Sequence, residues 1–266
     1  MQAKNLCFYL SDHGFGHIAR NIPLIAEAVR RTNGFVYVVC GKRHLEFAKA
    51  NLLEILTPEQ FSRIRYRAEH TDIGLILQQG TLLVDTAALT DACAQYLAER
   101  PERAKQEADW LCQHDVAAAL CDMPLWSISA CEQAGVPLLY VGNFTWTELY
   151  REFLPEHIWE AYAAEYRKIR HGMLYALHNP EMLEFLSQAE LSETSLVARP
   201  FHPDEIQAIR ARHTCPVVFV ALGMSAQFTQ PVSVEGVEAH FYVTEGVPLT
   251  GSNVTVIPYS TLHTQD

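Results

Sequence analysis

The chain has 266 residues, 49% hydrophobic and 19% charged, enough apolar material for a sizeable core and too little charge for global disorder. A formal net charge of −11 at pH 7 argues against a broad basic face for nucleic acid or anionic membrane. Seven cysteines, odd in number and without a Cys-x-x-Cys pair, read as buried thiols in a reducing compartment, neither a disulfide framework nor a zinc site.

In chain order, the apolar run 6–10 predicts a strand. Gly14 and Gly16 predict a glycine turn, and residues 22–31 a helix. Such a helix start offers unpaired N–H groups to an anion, and His17 stands at its mouth. Residues 35–40, β-branched and aromatic, predict a buried parallel strand. Residues 44–51 predict a helix and 64–67 a short strand. The alanine-rich stretch 85–112 has helical spacing and predicts two helices meeting near Pro101. Residues 116–121 predict a strand ending at Asp122, 124–134 a helix stopped by Gly135, and 136–141 the next strand. A polar, aromatic stretch over 142–166 precedes a helix-rich region to about residue 188. After 196–213, read as a linker with a short helix, residues 216–222 restart the pattern of strand and glycine turn, followed by strands at 238–243 and 253–258. Strands alternating with helices imply βαβ units and a parallel sheet. No apolar run approaches a membrane span, and the N-terminus has no long apolar stretch of the signal-peptide kind. The expected location is cytoplasmic.

Gly14-x-Gly16-x-x-Ala19 formally matches a dinucleotide fingerprint, but the second strand ends at Cys40-Gly41-Lys42-Arg43 with no acid to hold a ribose. An NADP-dependent oxidoreductase, with Arg43 on the extra phosphate, is one alternative. His13 and His17 are four apart, yet the glycines place them on a turn. With no His-Glu-x-x-His and no Asp-x-Asp, no metal site is expected. No Gly-x-Ser-x-Gly elbow occurs, which argues against a serine hydrolase. Asn143, Phe144, Thr145 and Trp146 follow a strand's carboxyl end, where α/β ligands bind.

Gly14-Phe15-Gly16-His17-Ile18-x-Arg20 with Pro23-Leu24 resembles the N-terminal motif of glycosyltransferases with two facing Rossmann-like domains, the glycosyltransferase-B fold. Asp122, Trp126 and Ala130-x-x-x-Gly135-Val136-Pro137 resemble a later segment of the same family. The pattern is closer still to the glycosyltransferase-like N-terminal part of plant arabinokinases, through His13–His17 and Asn143-Phe144-Thr145-Trp146. The likeness covers most of residues 5–150 and the stretch 197–203. It implies a hexose transferred from a nucleotide sugar, UDP-linked, to an acceptor hydroxyl without metal. His17 is then the base that takes the hydroxyl proton, and Asp122 the carboxylate that orients it. His13, Gly14, Gly16, Arg20, Asn143, Phe144, Thr145 and Trp146 are the expected substrate-binding residues, and Gly223 and Ser225 the donor-binding ones. The nucleotide sugar is a co-substrate, and no cofactor is expected.

The expected fold class is α/β: an acceptor-type Rossmann-like domain over 1–195, a linker over 196–213 and the start of a donor-type domain over 214–266, with a cleft between. Nothing after residue 225 matches the family's later glycine-rich, acidic donor segment, so this second domain is expected to be incomplete, less protected than the first, and prone to self-association. The expected partners are a nucleotide sugar and an acceptor. A non-catalytic sugar- or nucleotide-binding domain is the second alternative.

Overall fold

The computed structural model describes residues 4–197, 203–221 and 230–258. Two compact units divide the chain, residues 1–75 with 86–199 and residues 76–85 with 200–266.

The first unit is built on a seven-stranded parallel sheet. Its strands are β1 (Asn5–Leu10), β2 (Val36–Cys40), β3 (Ile64–Ala68), β4 (Val116–Asp122), β5 (Leu138–Gly142), β6 (His171–Tyr175) and β7 (Glu190–Thr194). Their spatial order is β3-β2-β1-β4-β5-β6-β7. The chain winds outward from β1 in one direction, then returns to the other side of β1 with β4. That reversal opens a crevice at the carboxyl ends of β1 and β4, the usual ligand position in open α/β sheets. The intervening helices are α1 (Phe15–Arg31), α2 (Lys42–Ile55), α3 (Pro58–Phe61), α4 (Thr86–Gln113), α5 (Leu125–Ala134), α6 (Trp146–Phe153), α7 (Glu156–Tyr166) and α8 (Met182–Phe185).

In the middle of the sheet, Cys7, Tyr9, Leu10, Val38, Val39 and Cys40 are fully buried, as expected of parallel strands covered on both faces. Helix α1 buries His17, Ile18, Asn21, Ile22, Ile25, Ala26 and Val29, a stripe at helical spacing. Each large aliphatic side chain in that stripe contributes about 1.5–3 kcal/mol by leaving water. Helix α5 ends at Gly135 with φ 66°, a left-handed stop that favours glycine.

Three sequence expectations change. Helix α1 begins at Phe15, not near residue 22, so Gly16 and His17 lie inside its first turn. Only Gly14 takes a positive φ, 80°, and that one residue makes the whole turn. Residues 86–113 form one helix straight through Pro101. Proline removes a single intrahelical hydrogen bond, and Leu89, Cys93 and Tyr96 before it and Ala104, Ala108 and Leu111 after it are all buried, so packing anchors both halves of the continuous helix. The stretch 142–166, read as polar and aromatic, holds α6 and α7, and the stretch to about residue 188, expected to be helix-rich, holds strand β6 and the short helix α8. Edge strand β7 follows it, and the pair of strands is tight because a Cβ at Gly172 would lie 2.7 Å from Leu191 Cδ2.

The second unit holds α9 (Pro203–Ala211), β8 (Val217–Val220), β9 (Val232–Ser233), β10 (His240–Thr244), β11 (Leu249–Thr250) and β12 (Val254–Ile257). Strands β12, β10 and β8 form a parallel sheet in that order, and β9 pairs with β11. Val217, Val218, Phe219 and Val256 are exposed.

Candidate active site

Strand pairing delivers the first two groups. Leu10 is opposite Asp122 in the β1–β4 register, and Ser11 N–H donates to the Asp122 carbonyl at 2.9 Å. The β1–α1 turn is thereby fixed beside the end of β4. Positions 17, 20 and 21 share one face of α1 at three- and four-residue spacing, and that face meets Asp122.

The Asp122 carboxylate is fully buried and surrounded by donors. His17 Nδ1 lies 2.8 Å from Oδ1. Arg20 donates to both oxygens, through Nε to Oδ2 at 2.7 Å and through Nη2 to Oδ1 at 2.5 Å. Asn21 Nδ2 donates to Oδ2 at 2.6 Å and to the His17 carbonyl at 2.8 Å. Burial pushes this carboxyl up, but His17 and Arg20 outweigh it and hold it down at about 2. Asp122 is therefore an anion at neutral pH, and an anion offers only acceptors. The hydrogen between it and His17 belongs to Nδ1, so the 3.0 Å approach of Arg20 Nη2 to Nδ1 is that of two donors sharing Asp122 Oδ1, and the neutral form of the imidazole has its lone pair on Nε2.

Arg20 does more than face Asp122. Its Nη1 donates to Asn143 Oδ1 at 2.6 Å, its Nη2 lies 3.0 Å from His17 Nδ1, and its guanidinium sits 5.2 Å from the centre of the Tyr175 ring. The side chain expected to bind substrate directly is thus held by the protein's own groups at the ends of β4, β5 and β6. Phe144, half-buried, stands 5.8 Å ring to ring from His17. Thr145 and Trp146 are buried and serve the scaffold. Thr145 makes the capping box of α6 with Glu148, and Trp146 packs edge-on to Phe144. Gly14 and Gly16 are exposed, with open space where a Cβ would be.

A second cluster, unread in the sequence, lies in the loop after β3. Asp12 accepts hydrogen bonds from Thr71 Oγ1 at 3.0 Å, Thr71 N at 3.3 Å and Asp72 N at 3.2 Å, and His70 Nδ1 lies 2.9 Å away. Trp126 Nε1 and Tyr96 Oη both donate to the Thr71 carbonyl, at 3.2 and 2.9 Å. Trp146 Nε1 donates to Asp72 Oδ2 at 2.8 Å, and Tyr150 Oη to the Gly74 carbonyl at 2.9 Å. Four aromatic side chains therefore pin this loop beside His13. The His13 ring is edge-on to Trp146 at 5.3 Å, and it lies so close to Gly74 that a Cβ there would be 2.0 Å from Nδ1. Burial lowers the His13 pKa, neighbouring His17 lowers it further, and Asp12 opposes both. Buried Asp72 goes the other way, raised first by burial and then by the charge of Asp12. Its Oδ1 is without a hydrogen-bond partner.

Asn21 could have been found in the sequence from its place four residues after His17. The Asp12–Asp72 loop had no such signal, because its partners are scattered from residue 12 to residue 150. Gly223 and Ser225 lie outside the described residues. Among the described residues, no group of three or more His, Cys, Asp or Glu is arranged to hold a metal ion, and no helix is long and apolar enough to cross a membrane.

No family model matches the chain. Among curated proteins, L-arabinokinase of Arabidopsis thaliana is 29% identical over 157 residues, 57% of this chain but 14% of that protein. Solved structures align over almost the whole length. UGT89C1 of Arabidopsis thaliana, complexed with UDP-L-rhamnose, matches at TM-score 0.57 and 12% identity over 97% of this chain and 69% of that one. Phytolacca americana UGT2, complexed with UDP-2-fluoroglucose and pterostilbene, matches at TM-score 0.53 and 11% identity over 96% and 71%. The glycosyltransferase of kitacinnamycin matches at TM-score 0.51 and 14% identity over 96% and 71%. The chain has the α/β fold of the UDP-sugar glycosyltransferases, the glycosyltransferase-B fold.

Proposed function

We propose that this chain provides the acceptor-activating site of a glycosyl transfer reaction. His17 Nε2 takes the proton of an acceptor hydroxyl as the oxygen attacks the anomeric carbon of a nucleotide sugar, and the nucleoside diphosphate leaves. The observation that carries this reading is the buried Asp122 anion 2.8 Å from His17 Nδ1. It fixes the tautomer in which Nε2 is basic, and it stabilises the imidazolium that forms on proton transfer. The half-buried Phe144 ring beside His17 offers an apolar face to the acceptor or the sugar ring. A UDP-linked sugar is the favoured donor, because two neighbours of the same fold are complexes with UDP sugars. The base needs no metal and no bound cofactor, and a cytoplasmic location suits a soluble nucleotide-sugar donor.

The direct test is release of UDP from a panel of UDP-hexoses and UDP-pentoses, with free sugars, L-arabinose among them, and phenols as acceptors. Turnover should appear with one acceptor class, and His17→Gln should lower it about 10²–10⁴-fold, the usual worth of a general base. Equal turnover in wild type and His17→Gln would refute the base assignment.

The arabinokinase match favours a second reading. It covers only 14% of a protein named for a kinase activity, which is compatible with a sugar-binding region lacking turnover of its own. Saturable nucleotide-sugar or sugar binding without UDP release on any acceptor would support it.

A further inference from the structure

Arginine carries five N–H donors and no acceptor. A group that accepts a hydrogen bond from one of its nitrogens must present a lone pair. Arg20 Nη1 lies 2.6 Å from one end of the Asn143 side chain, so that end is the carbonyl oxygen, and the amide NH2 is at the other end. The guanidinium is not free to turn and release it. Nε and Nη2 are both bonded to the Asp122 carboxylate, and Tyr175 lies against the face at 5.2 Å. The loop that carries Asn143 is fixed as well, by the Asn143 carbonyl accepting from Asn179 N at 2.7 Å and by the capping box immediately after it. Asn143 is half-buried, and among the described residues nothing accepts a hydrogen bond from its Nδ2. The imidazole of His17 is reached by the other nitrogen of the same guanidinium, at 3.0 Å, so one planar group separates the amide from the imidazole.

We propose that Asn143 is a substrate-binding residue that donates Nδ2–H to an oxygen of a polyhydroxylated acceptor, a sugar or cyclitol rather than a lone phenol, and that Arg20 is the positioning residue that turns the amide this way round. This rests on the reading of His17 as the base for an acceptor hydroxyl. A polyol places a second oxygen next to the hydroxyl at His17, and the Asn143 amide is the donor for it. Arg20 itself does not touch the acceptor. Its bonds to Asp122 and Asn143 make the orienting carboxylate and the binding amide one rigid unit.

The test uses the full 266-residue chain labelled with ¹⁵N, with the Asn143 side-chain amide signals assigned by their loss in Asn143→Asp. L-Arabinose and D-galactose are titrated as polyols and cyclohexanol as the single-hydroxyl control. A polyol should move the Asn143 amide signals and cyclohexanol should not. The polyol dissociation constant should rise about tenfold in Asn143→Ala, the worth of one hydrogen bond. It should rise about as much in Arg20→Lys, whose single ammonium cannot hold the carboxylate and the amide oxygen together. Amide signals unmoved by either sugar up to about 100 mM, or a dissociation constant unchanged in Asn143→Ala, overturns the proposal. His17→Gln separates it from its parent reading, since that variant should keep the polyol-induced shift at Asn143 while losing UDP release. Full UDP release in His17→Gln would remove the base and leave the amide assignment to stand or fall on the titration.

Discussion

Replacing Asp122 by Asn tests the electrostatic core of the site through stability, independently of any substrate. In the folded chain this carboxyl titrates at about 2, against an ordinary value of 3.8. The folded-state value is the lower one, so its contribution is fully present above pH 3.8 and is lost as pH falls through about 2. Each tenfold difference in proton affinity is worth about 1.4 kcal/mol, which makes the whole contribution ~2 kcal/mol. A neutral amide in place of the carboxylate removes the counter-charge of the largely buried Arg20 guanidinium at every pH, and breaking a buried pair from one side costs about 3–5 kcal/mol, of which the titrating part is the ~2 kcal/mol above. Urea denaturation of wild type and Asp122→Asn, followed by tryptophan fluorescence, should show the variant several kcal/mol weaker at pH 7. The gap should narrow by about 1–2 kcal/mol between pH 5 and pH 2.5. All other carboxyls are common to both chains, so the difference isolates Asp122. A gap that stays constant over this window would refute the claim that His17 and Arg20 hold the carboxylate ionised against burial.

Two other substitutions should stabilise the chain. The Asp72 carboxyl is raised, by burial and by Asp12, so it contributes against folding once the unfolded carboxyl ionises, and the penalty grows until pH passes the folded value. Asp72→Asn keeps an oxygen for Trp146 Nε1 and removes the charge. It should be more stable than wild type by at least ~1 kcal/mol at pH 7 and equal to it below pH 3.8, and a loss of stability at pH 7 would count against the raised value. Pro101, exposed within α4, should yield about 1–3 kcal/mol on replacement by Ala as the missing N–H is restored. An unchanged urea midpoint for Pro101→Ala would show that the helix has already absorbed the proline's cost.

The strands that frame the site were legible because each carries a continuous apolar run, Leu6 to Leu10 and Val116 to Cys121, closed by a polar residue at the crevice. The start of α1 was not. Two glycines in three residues imitate a longer turn, and only backbone geometry shows that Gly14 alone has the positive φ. That shift of the helix start matters chemically, because it puts His17, Arg20 and Asn21 on one face. Strand β7, with Glu190, Ser192, Glu193 and Thr194 around a single Leu191, has no hydrophobic period to read. It is a strand because β6 offers it an edge. Arg20 illustrates a subtler limit. An arginine in a glycine-turn motif suggests a phosphate or carboxylate ligand, and the sequence holds no sign that the carboxylate is the chain's own Asp122.

That last point shapes the chemistry. Asp122 accepts from His17, from two nitrogens of Arg20 and from Asn21, so its acceptor positions are largely taken by the protein. A carboxylate held this way cannot rotate to follow the imidazole, because donors occupy both of its oxygens. The proton on Nδ1 therefore has one place to be, against the fixed Asp122 carboxylate. The arrangement also separates roles that the motif alone merges. In the proposed reading His17 exchanges the proton, Asp122 and Arg20 hold it still, and Asn143 and Phe144 recognise what is bound. Substitutions in the holding groups should accordingly lower turnover more than they weaken binding, and those at Asn143 should do the reverse. A variant of Arg20 that weakened polyol binding and left the rate at saturation untouched would show that the guanidinium serves Asn143 alone.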